Sequence, residues 1–213
     1  MREHHIETAV SGRYLTEAPS GVGPFPLLVG FHGYGQTAEA EMELLRGIPD
    51  SGGWVRGAIE ALHPFMNVKG NPGSSWMTRR ERELRIAENV HYVDAVLSRL
   101  MLDYPVGSTL VLHGFSQGAG MACRAALFGS HPVSAVMLLG GDVPPELDRL
   151  ERMRMVHLAR GSRDRLYPQE RFESDAARLR DAGVPVSVTS FSGSHGPTGE
   201  YFEEAGRFLA SID

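Results

Sequence analysis

The longest periodic signal runs from Ile86 to Tyr104. Ile86, Val90, Val93, Leu97, Leu100 and Tyr104 recur at steps of four and three, which is one face of a helix. A second stripe, Tyr201, Phe202, Ala205, Phe208, Leu209 and Ile212, predicts a last helix. Leu27-Leu28-Val29-Gly30-Phe31 is a short continuous apolar run, the pattern of a strand buried on both faces. Further strands are predicted over 109–113, 133–139, 155–159 and 184–191. Helices are predicted over 37–47, 117–128 and 169–182, the last ended by Gly183. At the start of the chain, Ile6, Thr8 and Val10 alternate with polar neighbours. Ser11-Gly12 then turns toward Arg13-Tyr14-Leu15-Thr16, which predicts an antiparallel hairpin. Residues 54–63 are ambiguous: Val55, Ile59 and Leu62 have helical spacing, yet Pro64 stops the segment, and we assign a strand near 58–63. Gly70, Pro72, Gly73, Ser74 and Ser75 predict a long loop over 66–78. Alternating strands and helices imply an α/β fold, one domain over 1–213, with a mostly parallel sheet covered by helices on both faces. In such sheets ligand sites gather beyond the carboxyl ends of the strands, so reactive residues are sought just after each strand.

Composition narrows the partners. Hydrophobic residues are 42% and charged residues 22% of 213, ordinary for a globular chain, which excludes disorder, collagen and coiled coil as descriptions of the whole. Lys plus Arg is 21 against 26 Asp plus Glu, a net charge of −5, which argues against a nucleic-acid partner. The single cysteine, Cys123, excludes an intramolecular disulfide and suits a cytoplasmic setting. No apolar run is long enough to span a membrane. The polar start Met1-Arg2-Glu3-His4-His5 lacks the apolar core of a signal peptide.

Four segments carry candidate chemistry. Gly114-Phe115-Ser116-Gln117-Gly118 lies between a predicted strand and a predicted helix. A sharp strand-to-helix turn lifts the serine hydroxyl clear of the sheet, and Gly114, Gly118, Ala119 and Gly120 relieve its crowding. The bland alternative is a serine in an ordinary turn. His32-Gly33-Tyr34-Gly35 follows strand 27–31, where a glycine-flanked backbone can aim an N–H at a developing oxyanion. We assign the oxyanion donors to the N–H groups of Tyr34 and Gln117. Among nine histidines, only His195 combines a post-strand position, a small-residue loop (Ser192-Gly193-Ser194-His195-Gly196) and a place after the serine in the chain. His113 and His157 fall within predicted strands and read as core residues, and His32 as packing beneath the oxyanion loop. The carboxylate that orients the histidine is assigned to Asp164 in Gly161-Ser162-Arg163-Asp164. Asp142, after strand 133–139, remains the alternative, although Val143-Pro144-Pro145 carries the chain onward stiffly. Trp76 and Met77, with Leu166 and Tyr167, are candidate walls for a substrate; Trp76 reads equally as a packing anchor. No metal-ligand spacing, P-loop or dinucleotide fingerprint occurs, so no cofactor is expected.

With these residues assembled, the chain resembles the phospholipase/carboxylesterase family of α/β-hydrolases, the group that includes acyl-protein thioesterases. The resemblance runs from Leu27 to the last helix. Its most specific parts are His32-Gly33-Tyr34-Gly35, Gly114-Phe115-Ser116-Gln117-Gly118 and Gly161-Ser162-Arg163-Asp164. It implies the α/β-hydrolase fold, a triad of Ser116, Asp164 and His195, oxyanion donors at Tyr34 and Gln117, and no cofactor. Family members often carry an acidic residue after the histidine, whereas Gly196-Pro197-Thr198 stands here. The expected activity is hydrolysis of a small-molecule ester. A thioesterase or lysophospholipase with the same triad, and a non-catalytic binding protein on this fold, are the alternatives. The sequence leaves a homodimer open.

Overall fold

The computed structural model describes residues 1–2, 4–6 and 8–212. Strands β1 (Tyr14–Glu17), β2 (Phe25–Phe31), β3 (Val55–Ile59), β6 (Val106–Phe115), β7 (Ala135–Leu139), β8 (Val156–Gly161) and β9 (Val186–Phe191) form one sheet in the order β1-β3-β2-β6-β7-β8-β9. All neighbours are parallel except β1 against β3. An antiparallel N-terminal pair is therefore present, but its members differ from the expected hairpin. Tyr14 lies opposite Ile59, and the described residues of 4–12 form no strand. Ile6 and Val10 are exposed and bury no apolar face that would order a strand there, whereas β3 offers β1 a ready ladder.

The parallel strands show the two-sided burial that their continuous apolar runs imply. Leu27, Val29 and Phe31 of β2, Leu110 and Leu112 of β6, and Val136 and Leu138 of β7 join one core. They pack with α2 (Arg82–Asp103), α3 (Gln117–Phe128) and α4 (Gln169–Asp181). Leu28, Val111, Ala135, Met137 and Leu139 face the other core, with α1 (Ala38–Gly47) and α5 (Gly199–Leu209). Side chains alternate across the sheet at every residue, so one strand feeds both layers. The expected strand near 58–63 begins earlier and ends sooner, as β3. The expected loop 66–78 is partly ordered: β4 (His63–Met66) and β5 (Pro72–Ser75) make a separate antiparallel hairpin. Its turn is closed by the Asn67 side chain, which accepts hydrogen bonds from the N–H groups of Lys69 and Asn71.

The hairpin matters because it leans on the turn after β2. Gly35 N–H donates to the Ser74 carbonyl at 2.9 Å and Ser74 N–H donates to that of Gln36 at 3.0 Å. A Cβ on Gly73 would lie 2.3 Å from the Gly35 carbonyl oxygen, so this approach requires glycine.

Candidate active site

The turn from β6 into α3 places Ser116 at φ 53° and ψ −116°, a conformation that L-residues rarely adopt. Three glycines box it in. A Cβ on Gly118 would lie 1.8 Å from the Phe31 carbonyl oxygen, one on Gly114 would lie 2.3 Å from that of Gly118, and one on Gly141 would lie 2.2 Å from that of Ser116. Ser116 N–H donates to the Leu139 carbonyl at 2.8 Å, which ties the turn to the end of β7. The strain is thus held by the strands on either side rather than by the turn itself.

His195 follows β9 and Asp164 follows β8, and the parallel order of the sheet brings both to Ser116. His195 Nε2 lies 2.9 Å from Ser116 Oγ, and Nδ1 lies 2.8 Å from Asp164 Oδ2. A carboxylate only accepts, so Nδ1–H donates to Asp164, and Nε2 is the acceptor that faces the serine hydroxyl. The Asp164 side chain is fully buried. Its other oxygen accepts from the N–H groups of Leu166, at 2.8 Å, and Tyr167, at 3.0 Å. The loop beneath is braced by buried Arg160, which donates to the carbonyls of Tyr167 and Asp164 at 3.0 and 3.2 Å. Gly140 (φ 60°) lets the chain pass beneath the pair: a Cβ there would lie 3.3 Å from Asp164 and 3.4 Å from the His195 ring. Asp142, the alternative acid, lies elsewhere in the cavity, where it accepts from Arg171 Nη2 at 2.8 Å.

Tyr34 and Gln117 are carried by segments that touch through Gly118. Gln117 opens α3, so its N–H lies outside the intrahelical ladder. Its side chain turns toward the hairpin, where Oε1 accepts from Trp76 N–H at 2.9 Å. Gly33 N–H is held by Gln36 Oε1 at 2.8 Å, which shapes the turn around Tyr34. The Tyr34 ring itself is exposed and lies against Phe65, 5.1 Å between centroids. Under this turn sits His32, fully buried, as expected. Ala61 N–H donates to its Nε2 at 3.1 Å, so its proton is on Nδ1 and is given to the Gly33 carbonyl at 2.7 Å. Burial pushes the His32 pKa below the ordinary histidine range, so the ring stays neutral.

The cavity at the site encloses about 440 Å³ and is lined by Ser116, His195, Asp142, Leu166, Tyr167 and Arg171, with neighbouring backbone. Leu166 and Tyr167 therefore stand where a substrate wall was expected. Trp76 and Met77 do not line it. Trp76 is fully buried; its indole N–H donates to the His32 carbonyl at 2.9 Å and its ring meets Phe31 edge-on. It anchors the hairpin and the turn after β2, which is the packing alternative. Met77 is half-buried against the same core. Sequence reasoning missed Arg171. It sits on the first turn of a helix with no motif around it, and only the fold brings it to the cavity.

A doubly wound sheet with a strained serine at the strand-to-helix turn and a histidine after the last strand defines an α/β-hydrolase. The chain belongs to the phospholipase/carboxylesterase family, which matches residues 22–212. Among solved structures, it is similar to esterase PE8, with 27% identity and a TM-score of 0.72 over 95% of this chain and 99% of the other. It is also similar to Zea mays acyl-protein thioesterase 2, with 20% identity and a TM-score of 0.74 over 94% and 99%. The Bacillus cereus carboxylesterase aligns with 16% identity and a TM-score of 0.72 over 93% of each chain. No curated protein sequence matches. Among the described residues no helix is long and apolar enough to cross a membrane.

Proposed function

We propose that the protein is a serine carboxylesterase that works through an acyl-enzyme. The observation that carries this reading is the single imidazole bridging Ser116 Oγ and Asp164 Oδ2 at 2.9 and 2.8 Å. Ser116 attacks the ester carbonyl while His195 Nε2 takes its proton. The oxyanion rests on the N–H groups of Tyr34 and Gln117. His195 then gives its proton to the leaving alkoxide, which departs as alcohol. Water repeats the sequence and releases the acid and the free serine. Asp164 keeps the imidazole in the tautomer that accepts from serine and stabilises the imidazolium formed on the way. The modest cavity, with the charged side chains of Asp142 and Arg171 on its lining, favours a small-molecule ester over a long acyl chain.

Ser116→Ala tests the assignment. The variant is expected to fold normally and to lose at least about 10³-fold in kcat on 4-nitrophenyl esters. Near-normal turnover by purified Ser116→Ala would place the chemistry elsewhere. Turnover of no ester or thioester by the unmodified protein would favour a binding role on this fold.

A further inference from the structure

The catalytic cavity contains a charge pair that acyl transfer does not use. Arg171 on α4 and Asp142 after β7 share the cavity with Ser116 and His195. We infer that Arg171, held by Asp142, forms a carboxylate-recognising subsite, so that the substrate is an ester bearing a carboxylate near the scissile bond. This rests on the serine-esterase reading of the same cavity.

Three observations support it. The pair is half-exposed, 43% for Arg171 and 47% for Asp142, and a pair so solvated contributes little to folding. Its geometry also leaves Arg171 under-used. Only Nη2 is hydrogen-bonded, to Asp142; Nε lies 3.9 Å from Asp175 Oδ2, beyond hydrogen-bond reach, and Nη1 has no hydrogen bond among the described residues. Asp175 itself is committed below, accepting from Tyr167 Oη–H at 2.9 Å and Val143 N–H at 3.1 Å. A planar guanidinium with idle donors, fixed at one corner, suits a planar carboxylate, which it can bind through two parallel hydrogen bonds. Finally, charge around the acid loop is weighted toward cations. Arg163 and Arg165 flank Asp164, are exposed, and have no carboxylate partner among the described residues. Asp164 itself is turned inward to His195. Among the residues that line the cavity, an incoming anion meets Arg171, with Asp142 as the carboxylate beside it. A cationic substrate would instead have to bind Asp142 beside an arginine already there.

The test uses matched esters. One pair varies the acyl group: 4-nitrophenyl glutarate, with a free carboxylate, against 4-nitrophenyl valerate. The other varies the alcohol: 4-carboxyphenyl butyrate against 4-methylphenyl butyrate. On at least one pair the unmodified enzyme is expected to favour the anionic ester in kcat/KM. Arg171→Gln is expected to reduce that ratio about tenfold or more, mainly through KM. No anionic preference on either pair, or a preference that Arg171→Gln leaves intact, would overturn the inference. So would preference for a matched trimethylammonium ester. Calorimetric titration with glutarate separates the two readings, since binding needs no turnover. Glutarate binding that Arg171→Gln removes, in a protein that cleaves no ester, would keep the subsite and remove the esterase. Absence of glutarate binding together with ordinary hydrolysis of neutral esters would do the reverse.

Discussion

His195 has two ring nitrogens, and the account depends on each having a different partner. Asp164 accepts the hydrogen bond from Nδ1–H and so keeps that proton on Nδ1, which leaves Nε2 to accept from Ser116. Asp164→Asn keeps the shape but presents an amide donor to the ring and favours the other tautomer. It is expected to lower kcat by up to about 10⁴-fold with little change in thermal stability. Asp142→Asn is expected to cost neutral esters no more than about tenfold in kcat, because its partner is Arg171 rather than the imidazole. Steady-state kinetics of the two variants side by side check the ranking, and the opposite order would make Asp142 the acid. Ser116, Asp164 and His195 were legible in the sequence because each sits in a short glycine-rich segment after a strand. Arg171 was not, since a helical arginine carries no local signature and owes its place to the packing of α4 beside β8. Trp76 was ambiguous for a related reason: the same aromatic side chain serves a wall or an anchor, and only its burial decides.

At the scale of elements, the site exists because α3 can approach β2 closely. Gly118 is the contact, with no room for a Cβ beside the Phe31 carbonyl. Gly118→Ala must push the helix away from the sheet or the turn out of its strained conformation. It is expected to destabilise the protein by more than about 3 kcal/mol, read as a lower urea midpoint or as loss of soluble protein. An unchanged midpoint would mean that the helix is not wedged there. The strands from β6 onward were readable to within a few residues: burial on both faces writes a continuous apolar run in β6 and β7, and β9 alternates Val186 and Val188 with polar neighbours. The region from 54 to 78 was not. Its strand β3 is short and contains Arg56 and Gly57, and the β4–β5 hairpin is held by Asn67 and by backbone bonds to the turn after β2. Neither feature leaves a period-two hydrophobic pattern. The antiparallel N-terminal pair was expected, but with another partner: alternation at Ile6, Thr8 and Val10 pointed to a local hairpin, whereas Tyr14–Glu17 pairs with β3.

Over the whole molecule, the face of the sheet covered by α1 and α5 buries titratable groups away from the catalytic edge. His113 lies 2.6 Å from Glu41 Oε1 and 2.9 Å from Tyr201 Oη, which links β6 to both helices. His157 stacks on Phe208 and Tyr201. Burial, helped by the nearby His113, pushes its pKa down to about 4. The unfolded chain takes up this proton near pH 6.5 and the folded one only near pH 4. Stability is therefore full above pH 6.5 and declines as pH falls toward 4, by about 3 kcal/mol for this residue. Urea titrations at pH 7 and pH 4 are expected to show a smaller acid-induced loss for His157→Phe than for the unmodified protein. Equal losses would mean that His157 is not held neutral.

The central claim, an acyl-enzyme on Ser116, is tested most directly by intact-protein and peptide mass spectrometry after treatment with a fluorophosphonate. The probe phosphonylates an activated serine as fluoride leaves. The expected result is one adduct per chain, on the peptide containing Ser116, appearing in step with loss of esterase activity and absent from Ser116→Ala. An unlabelled Ser116 in active protein, or inactivation accompanied by an adduct on another residue, would contradict the account.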